Sequence, residues 1–333
     1  MENYLKQSIV GKGSYGTVYK VKCRRTGKEF ALKYHTRDVT GVRAATGVEE
    51  DVIGVEEATV RELSSLSALK GHPYVIQMLD CFVDSGTIAV LMPYVPYTLS
   101  KAIHNGHGMK FYYDQGQALQ QQQGIPLSFV ARFSIQVANA LSYMHRLNFV
   151  HRDVTPFNVL LTEELTVKVA DMGLARHSSR WMSTTVVTEP YRAPELFVTD
   201  GCAQYTCAID TWSLGVMIAD AVEGKVVFSA RKDHGTEVST YQIIVRTLCP
   251  KDHPCASTVE PWDPDVVMPN AMKCKLVKRI ILRLLAFHEN ERLLAHELLQ
   301  DTEWTQAAHM TEEDTAMVRD QIRRRERELE ARE

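Results

Sequence analysis

Three glycines, Gly11, Gly13 and Gly16, fall in the spacing G-x-G-x-x-G, with Val18 two residues on. Backbone without Cβ atoms can approach phosphate oxygens closely, so such a loop can cover a nucleotide. Dinucleotide-binding folds share the spacing, but there the glycines open a helix directly after a strand. Here the following residues, TVYKVKC, alternate as a strand does, which places the glycines on a hairpin. A plain hairpin turn would use three glycines as well. Further on, Phe30-Ala31-Leu32 leads into Lys33. An ammonium in an apolar strand is costly unless it meets an anion, and phosphate oxygens together with a carboxylate would meet that need. Glu62 is the best-placed carboxylate, with Glu56 and Glu57 as rivals. The blander reading is a lysine that snorkels from a strand edge.

A second group lies further along the chain. His151-Arg152-Asp153 precedes Asn158, Asp171-Met172-Gly173 follows a strand-like run from Thr166 to Ala170, and Arg192-Ala193-Pro194-Glu195 comes next. An aspartate that can accept a hydroxyl proton, with an Asn and an Asp that can hold magnesium, suits phosphoryl transfer. That chemistry depends mainly on positioning and charge neutralisation. Any one tripeptide could arise by chance; the ordered set could hardly do so.

The elements that must position these residues fall into two kinds. Residues 4–35 predict two or three antiparallel strands, 38–56 a long loop, and Glu56 to Leu69 an amphipathic helix with Val60, Leu63, Leu66 and Leu69 in step, ended by Gly71-His72-Pro73. Strand-like runs follow at Val75 to Phe82 and Thr87 to Tyr94. Beyond Val95 lie a polar, Gln-rich segment (104–126), expected as an exposed insertion, and helical patterns at Leu127 to Leu147, Tyr205 to Val222, Ser239 to Leu248 and Cys274 to Ala286. From Thr311 to Glu333 Glu and Arg interleave, the pattern of a solvated helix with i,i+4 ion pairs; RRRERE is a weaker candidate for a nuclear-localisation patch. The expected fold class is therefore α+β and bilobal: a small antiparallel-sheet lobe with one main helix over 4–95, a larger helical lobe over 96–304, and a charged helical tail over 305–333.

With these residues in place, the chain resembles the eukaryotic protein kinases from Tyr4 to about Trp304. The resemblance implies ATP and magnesium as cofactors. It implies that Val10, Gly11, Lys12, Gly13, Ser14, Tyr15 and Gly16 cover the phosphates and that Lys33 contacts them while pairing with Glu62. Asp153 would be the catalytic base, and Asn158 and Asp171 would hold the metal. Val18, Ala31 and Leu160 would sandwich adenine, with Met92 at the back of the pocket and Pro93, Tyr94 and Val95 as the hinge. Asp210 would brace the catalytic loop and Glu195 would pair with Arg292.

TVVTEPYRAPEL and STYQIIVRTLCP resemble the CMGC group, and Ser14-Tyr15 with EEATVRE fits the cyclin-dependent kinases best within it. The implied function is a serine/threonine kinase acting at Ser/Thr-Pro sites, with a cyclin or cyclin-like activator at the helix containing Glu62. Arg61, Arg152 and Arg176 match arginines that converge on an activation-loop phosphate, with Ser183 the preferred acceptor and Thr184 and Thr185 next. Phosphate on Ser14 or Tyr15 would inhibit. Three departures stand out: Thr155 occupies the position of a lysine, Met172 that of a phenylalanine, and Glu189-Pro190 that of an apolar-aromatic pair. The alternatives are a pseudokinase scaffold, favoured by Thr155, and a cyclin-independent member of the same group.

Bulk properties agree with this. A chain of 333 residues, 45% hydrophobic, can bury a large core, and a net charge of −3 gives no ground for nucleic acid or an anionic membrane as partner. There is no apolar run of membrane-spanning length and no signal-peptide pattern at the N-terminus. Seven scattered cysteines without a C-x-x-C pair suit free thiols in cytosol or nucleus.

Overall fold

A computed structural model describes residues 3–13, 16–43, 49–105, 124–177, 182–183, 187–198, 202–203, 205–233, 235–258 and 260–331. Strands β1 (Tyr4–Gly13), β2 (Gly16–Cys23) and β3 (Glu29–His35) join β6 (Asp80–Asp84) and β7 (Thr87–Pro93) in an antiparallel sheet of order β1-β2-β3-β7-β6. Period-two alternation lets β7 serve two cores. Ala89 and Leu91 pack with Val21 and Leu32 on one face, while Val90 and Met92 meet Leu66 and Leu69 on the other.

Residues 38–56, expected as a loop, form a hairpin instead. Strands β4 (Arg37–Arg43) and β5 (Glu49–Val55) pair antiparallel from Arg37↔Val55 to Arg43↔Glu49. The run from Val75 to Phe82 is strand only from Asp80; before it, Val75 makes a single parallel bridge to Val169.

Helix α1 (Glu57–Ala68) ends before Gly71, whose φ of 91° an L side chain would resist. Its inward face differs from the expected apolar stripe. Thr59, Glu62, Ser65 and Leu66 are buried, whereas Val60 is exposed. Rotating Glu62 toward the sheet carries Val60 out to solvent.

The helical part begins with β8 (Tyr97–Thr98), α2 (Leu99–Ile103) and α3 (Leu127–Arg146). Short strands β9 (Phe149–Val150), β10 (Val159–Leu161), β11 (Val167–Val169), β12 (Arg176–His177), β13 (Met182–Ser183) and β14 (Cys202–Ala203) follow. Then come α4 (Ala208–Glu223), strands β15 (Arg231–Asp233) and β16 (Thr236–Val238), and α5 (Thr240–Leu248). Helices α6 (Pro264–Val267), α7 (Pro269–Lys273), α8 (Lys275–Leu284), α9 (Ala295–Leu298), α10 (Thr302–Ala307) and α11 (Glu312–Glu330) complete the chain. Every residue of α4 is buried, so this helix is the axle of the larger lobe.

The charged tail is not merely solvated. In α11, Val318 and Ile322 are fully buried, Lys101 pairs with Glu326 at 2.7 Å, Ser128 donates to Asp314 at 2.8 Å, and Arg319 donates to the Glu163 carbonyl at 2.6 Å. Two apolar residues four apart give a polar helix a narrow stripe to bury. Its ion pairs within the helix run i,i+3, Arg323–Asp320 and Arg325–Glu328.

Candidate active site

The glycine-rich segment is the β1–β2 hairpin, with Gly11 opposite Val18 and Gly13 opposite Gly16. Its glycines do different work. A Cβ on Gly13 would meet no atom within 4 Å, which leaves the space a phosphate would need. A Cβ on Gly16, at φ 149°, would stand 2.1 Å from the Tyr34 carbonyl oxygen, so this glycine lets β2 lie against β3. Ser14 and Tyr15 lie outside the described residues. Val10 and Lys12 are exposed.

Lys33 is buried on β3, with Nζ at 2.6 and 2.8 Å from the two carboxylate oxygens of Glu62 and 3.5 Å from Asp171 Oδ1. Burial alone would depress this lysine, but the carboxylates outweigh it and raise it, so the ammonium stays charged. Glu56 and Glu57 do not reach it; Glu57 pairs with Arg61 instead. His35, two residues on, faces the Thr59 hydroxyl at 3.2 Å. Burial and then the Lys33 charge depress it to about 4, which keeps the imidazole neutral near pH 7.

The catalytic-loop candidates hang from Asp210, a buried carboxylate on α4. It accepts from the backbone N–H groups of His151 and Arg152, both at 2.9 Å, and from His145 Nε2 at 2.9 Å. Its carboxyl is held below the usual range: burial pushes it up, but the bond and charge of His145 and the backbone donors prevail. Burial likewise lowers His145, but Asp210 and then Cys207 outweigh it and lift the imidazole to about 9. The ring of His151 spans the loop, accepting the Asp153 N–H at 3.2 Å and donating to the Ala170 carbonyl at 3.1 Å.

Asp153 itself is held from two sides. Asn158 Nδ2 donates to its Oδ2 at 2.8 Å and to its carbonyl at 3.0 Å. Thr188 donates to its Oδ1 through both N–H (3.2 Å) and hydroxyl (3.1 Å). Thr188 was not expected from sequence; a hydroxyl 35 positions downstream carries no local signal. Val187 before it sits at φ 68°, a strained conformation for a β-branched residue, and its carbonyl accepts from Arg192.

Asp171 stands at φ 60° and caps the turn containing Met172 by accepting the Gly173 N–H at 3.4 Å. Met172 is fully buried, filling the core where a phenylalanine is usual in the resembled family. The Asn158 carbonyl accepts the Ala170 N–H at 2.8 Å, which ties the two candidate metal ligands into one frame. Among the described residues no three His, Cys, Asp or Glu side chains cluster as a metal site. A carboxylate and an amide oxygen are donors that suit magnesium, a hard cation that takes much of its shell from phosphates and water.

Of the adenine candidates, Ala31 lies opposite Met92 in register, Val18 is opposite Lys33 on the same sheet, and Leu160 rises on β10 below. Met92 is buried, while Val18, Ala31, Val95 and Leu160 are half-buried, as the walls of an open cleft would be. The Tyr94 ring turns away to lie under Lys20 Nζ at 4.5 Å. Glu195 forms a two-pronged pair with Arg292 at 2.8 and 3.0 Å.

Burial lowers Arg152, Tyr205 opposes that shift, and the like charges of Arg176 and Arg61 add to the lowering. The three do not simply face one another unscreened. Arg61 is paired with Glu57, and Arg152 hydrogen-bonds Tyr205. Ser183 lies on β13 opposite Cys202; Thr184 and Thr185 lie outside the described residues. Thr155 is buried.

Comparison with known proteins gives consistent results. The protein kinase domain model matches residues 4–304. Cell division control protein 2 homolog 3 of Trypanosoma brucei brucei is 32% identical over 73% of this chain and 70% of its own length. Serine/threonine-protein kinase SSN3 of Coccidioides immitis is 29% identical over 69% of this chain, which spans about half of that relative, 47%. Among solved structures, a chain of the CAK complex from Chaetomium thermophilum bound to ATP-γ-S superposes with a TM-score of 0.71 over 94% of both chains, at 23% identity.

Proposed function

The chain belongs to the protein kinase family, as a serine/threonine kinase resembling the cyclin-dependent kinases, and on that premise we propose how its residues share the reaction. The substrate hydroxyl approaches Asp153, which accepts its proton as the oxygen attacks the γ-phosphorus of ATP. The bond from that phosphorus to the bridging oxygen breaks, and ADP leaves. Lys33, held by Glu62, neutralises phosphate charge, and the backbone at Gly11 and Gly13 covers the phosphates. Asn158 and Asp171 would hold magnesium, which supplies charge neutralisation for the transferring group. The observation that carries this reading is the fixed carboxylate of Asp153, gripped by Asn158 on one oxygen and Thr188 on the other.

The finer assignment is a preference for Ser/Thr-Pro sites, control by a phosphate near Ser183, and a cyclin-like partner on α1. Val60, exposed on α1, is an apolar residue that such a partner would cover. Cytosol or nucleus remains the proposed location.

A second reading, a non-catalytic scaffold, rests on Thr155, which leaves no cation at a position where the resembled family places one. Labelled phosphate transfer from Mg-ATP to paired Ser-Pro and Ser-Ala peptides separates these readings, with Asp153→Asn as control. Transfer that favours Ser-Pro and vanishes in the variant is expected. Transfer without preference removes the proline assignment, and no transfer even with cyclins present favours the scaffold.

A further inference from the structure

We propose that His35 and Thr59 are positioning residues, whose buried hydrogen bond fixes the rotation of α1 at which Glu62 meets Lys33. The inference rests on the reading of Lys33 as the cation that meets phosphate charge.

Helix α1 carries two faces that could turn inward. Val60, Leu63, Leu66 and Leu69 form the apolar stripe that hydrophobic burial alone would direct at the sheet. The face that is buried instead carries Thr59, Glu62, Ser65 and Leu66, and Val60 stands 51% exposed. At about 100° per residue, the two faces differ by about 60° of rotation. Leu66 belongs to both, so a turn of that size keeps part of the packing. The setting that serves phosphate binding is therefore not the one that the apolar stripe would select.

The ion pair to Glu62 favours the observed setting but does not hold it alone. Asp171 Oδ1 lies 3.5 Å from Lys33 Nζ and offers the ammonium a second carboxylate if Glu62 turns away. A further polar contact joins the buried face of α1 to β3. His35 Nδ1 is 3.2 Å from the Thr59 hydroxyl, and both residues are buried. Thr59 lies three residues before Glu62, the spacing of neighbours on one helix face. A hydrogen bond weakens steeply with angle and so specifies a rotation, whereas apolar burial is non-directional.

The imidazole carries a cost. Among the described residues, its Nε2 is buried without a hydrogen-bond partner. A buried polar atom left unpaired destabilises a fold. An apolar side chain at this position of β3 would avoid that cost, so what the imidazole contributes is its bond to α1. A buried polar group can fix one register among several at some expense in stability.

The test compares wild type with His35→Leu/Thr59→Val, Thr59→Val and His35→Asn, the last keeping a hydrogen-bonding atom where Nδ1 stands. Each is also made with Val60→Cys, and labelling of that position by a maleimide is followed by mass spectrometry. The double variant should melt no lower than wild type, since the unpaired nitrogen is gone. Its kcat should fall about tenfold with peptide KM unchanged, and labelling at position 60 should slow about threefold as that face turns in. Thr59→Val should move both readouts in the same direction, and it carries the test should the double variant fail to fold. His35→Asn should bring both back near the wild-type values. Unchanged kcat and labelling without the hydrogen bond would overturn the positioning role. A fall in kcat with labelling unchanged marks a merely structural effect and would overturn it as well. Slower labelling in the variants of a chain whose wild type transfers no phosphate would instead overturn the phosphotransfer reading and leave the rotation of α1 standing.

Discussion

The pairing of His145 with Asp210 makes the strongest quantitative prediction. The imidazole sits in the last turn of α3, largely buried, where the helix C-terminus also favours its positive form. Burial lowers it, but Asp210, with Cys207 adding to it, lifts it to about 9 from the ordinary 6.5. The imidazolium form is favoured in the folded chain, so the folded state binds more protons than the unfolded state between those two values. Its stabilisation is complete below about pH 6.5, declines as pH rises toward 9, and is gone beyond it. Integrated over that window the contribution is about 3 kcal/mol. The perturbation is His145→Gln, which keeps an amide donor for Asp210 but has no proton to lose. Urea unfolding of both proteins should show a gap of about 3 kcal/mol near pH 6, shrinking to about 1 kcal/mol or less above pH 9. A gap that stays constant across this range would refute the charged pair and reduce His145 to a neutral hydrogen-bond donor.

The remaining predictions concern the hairpin, the base and the tail. Gly16→Ala should destabilise by about 1–3 kcal/mol because its Cβ meets the Tyr34 carbonyl, whereas Gly13→Ala should leave the melting temperature in place and raise the KM for ATP. Thr188→Val removes a hydroxyl bond to the Asp153 carboxylate and should lower kcat about tenfold with little change in peptide KM, since the N–H bond remains. Ending the chain at Met310 uncovers the seats of Val318 and Ile322 and should cost about 3–5 kcal/mol, visible as a lower Tm and as proteolysis near α2.

How far the sequence could be read depended on whether a signal was local. Strand alternation around the glycines, the step of α3, and the demand of Lys33 for a carboxylate all lie within short windows, and each agrees with the geometry. The β4–β5 hairpin escaped because its strands carry Gly41 and Gly54, which blur the alternation that marks a strand. On α1 the apolar stripe pointed to Val60 as a core residue. Glu62, a charge that must face inward, overrode it, because leaving Lys33 without a partner costs more than exposing one valine. The tail looked solvated because charge dominates its composition, and only the pair Val318 and Ile322 marked the side that docks. Thr188 and the sealed Asp220 could not be found from spacing at all, since their partners are brought to them by tertiary folding.

Gln321 on α11 touches both edges of the segment that separates α2 from α3. It lies 3.4 Å from the Asn105 amide and donates to the Gly124 carbonyl at 2.7 Å. The described residues on either side, Asn105 and Gly124, are thus held close together by one side chain. The length of chain between them can then vary at a cost that grows only logarithmically, about 0.6 kcal/mol for each doubling. This junction is accordingly a natural grafting point: a peptide tag or a whole reporter domain spliced between positions 106 and 123 should leave the lobe beneath it undisturbed, provided the helix carrying Gln321 is kept.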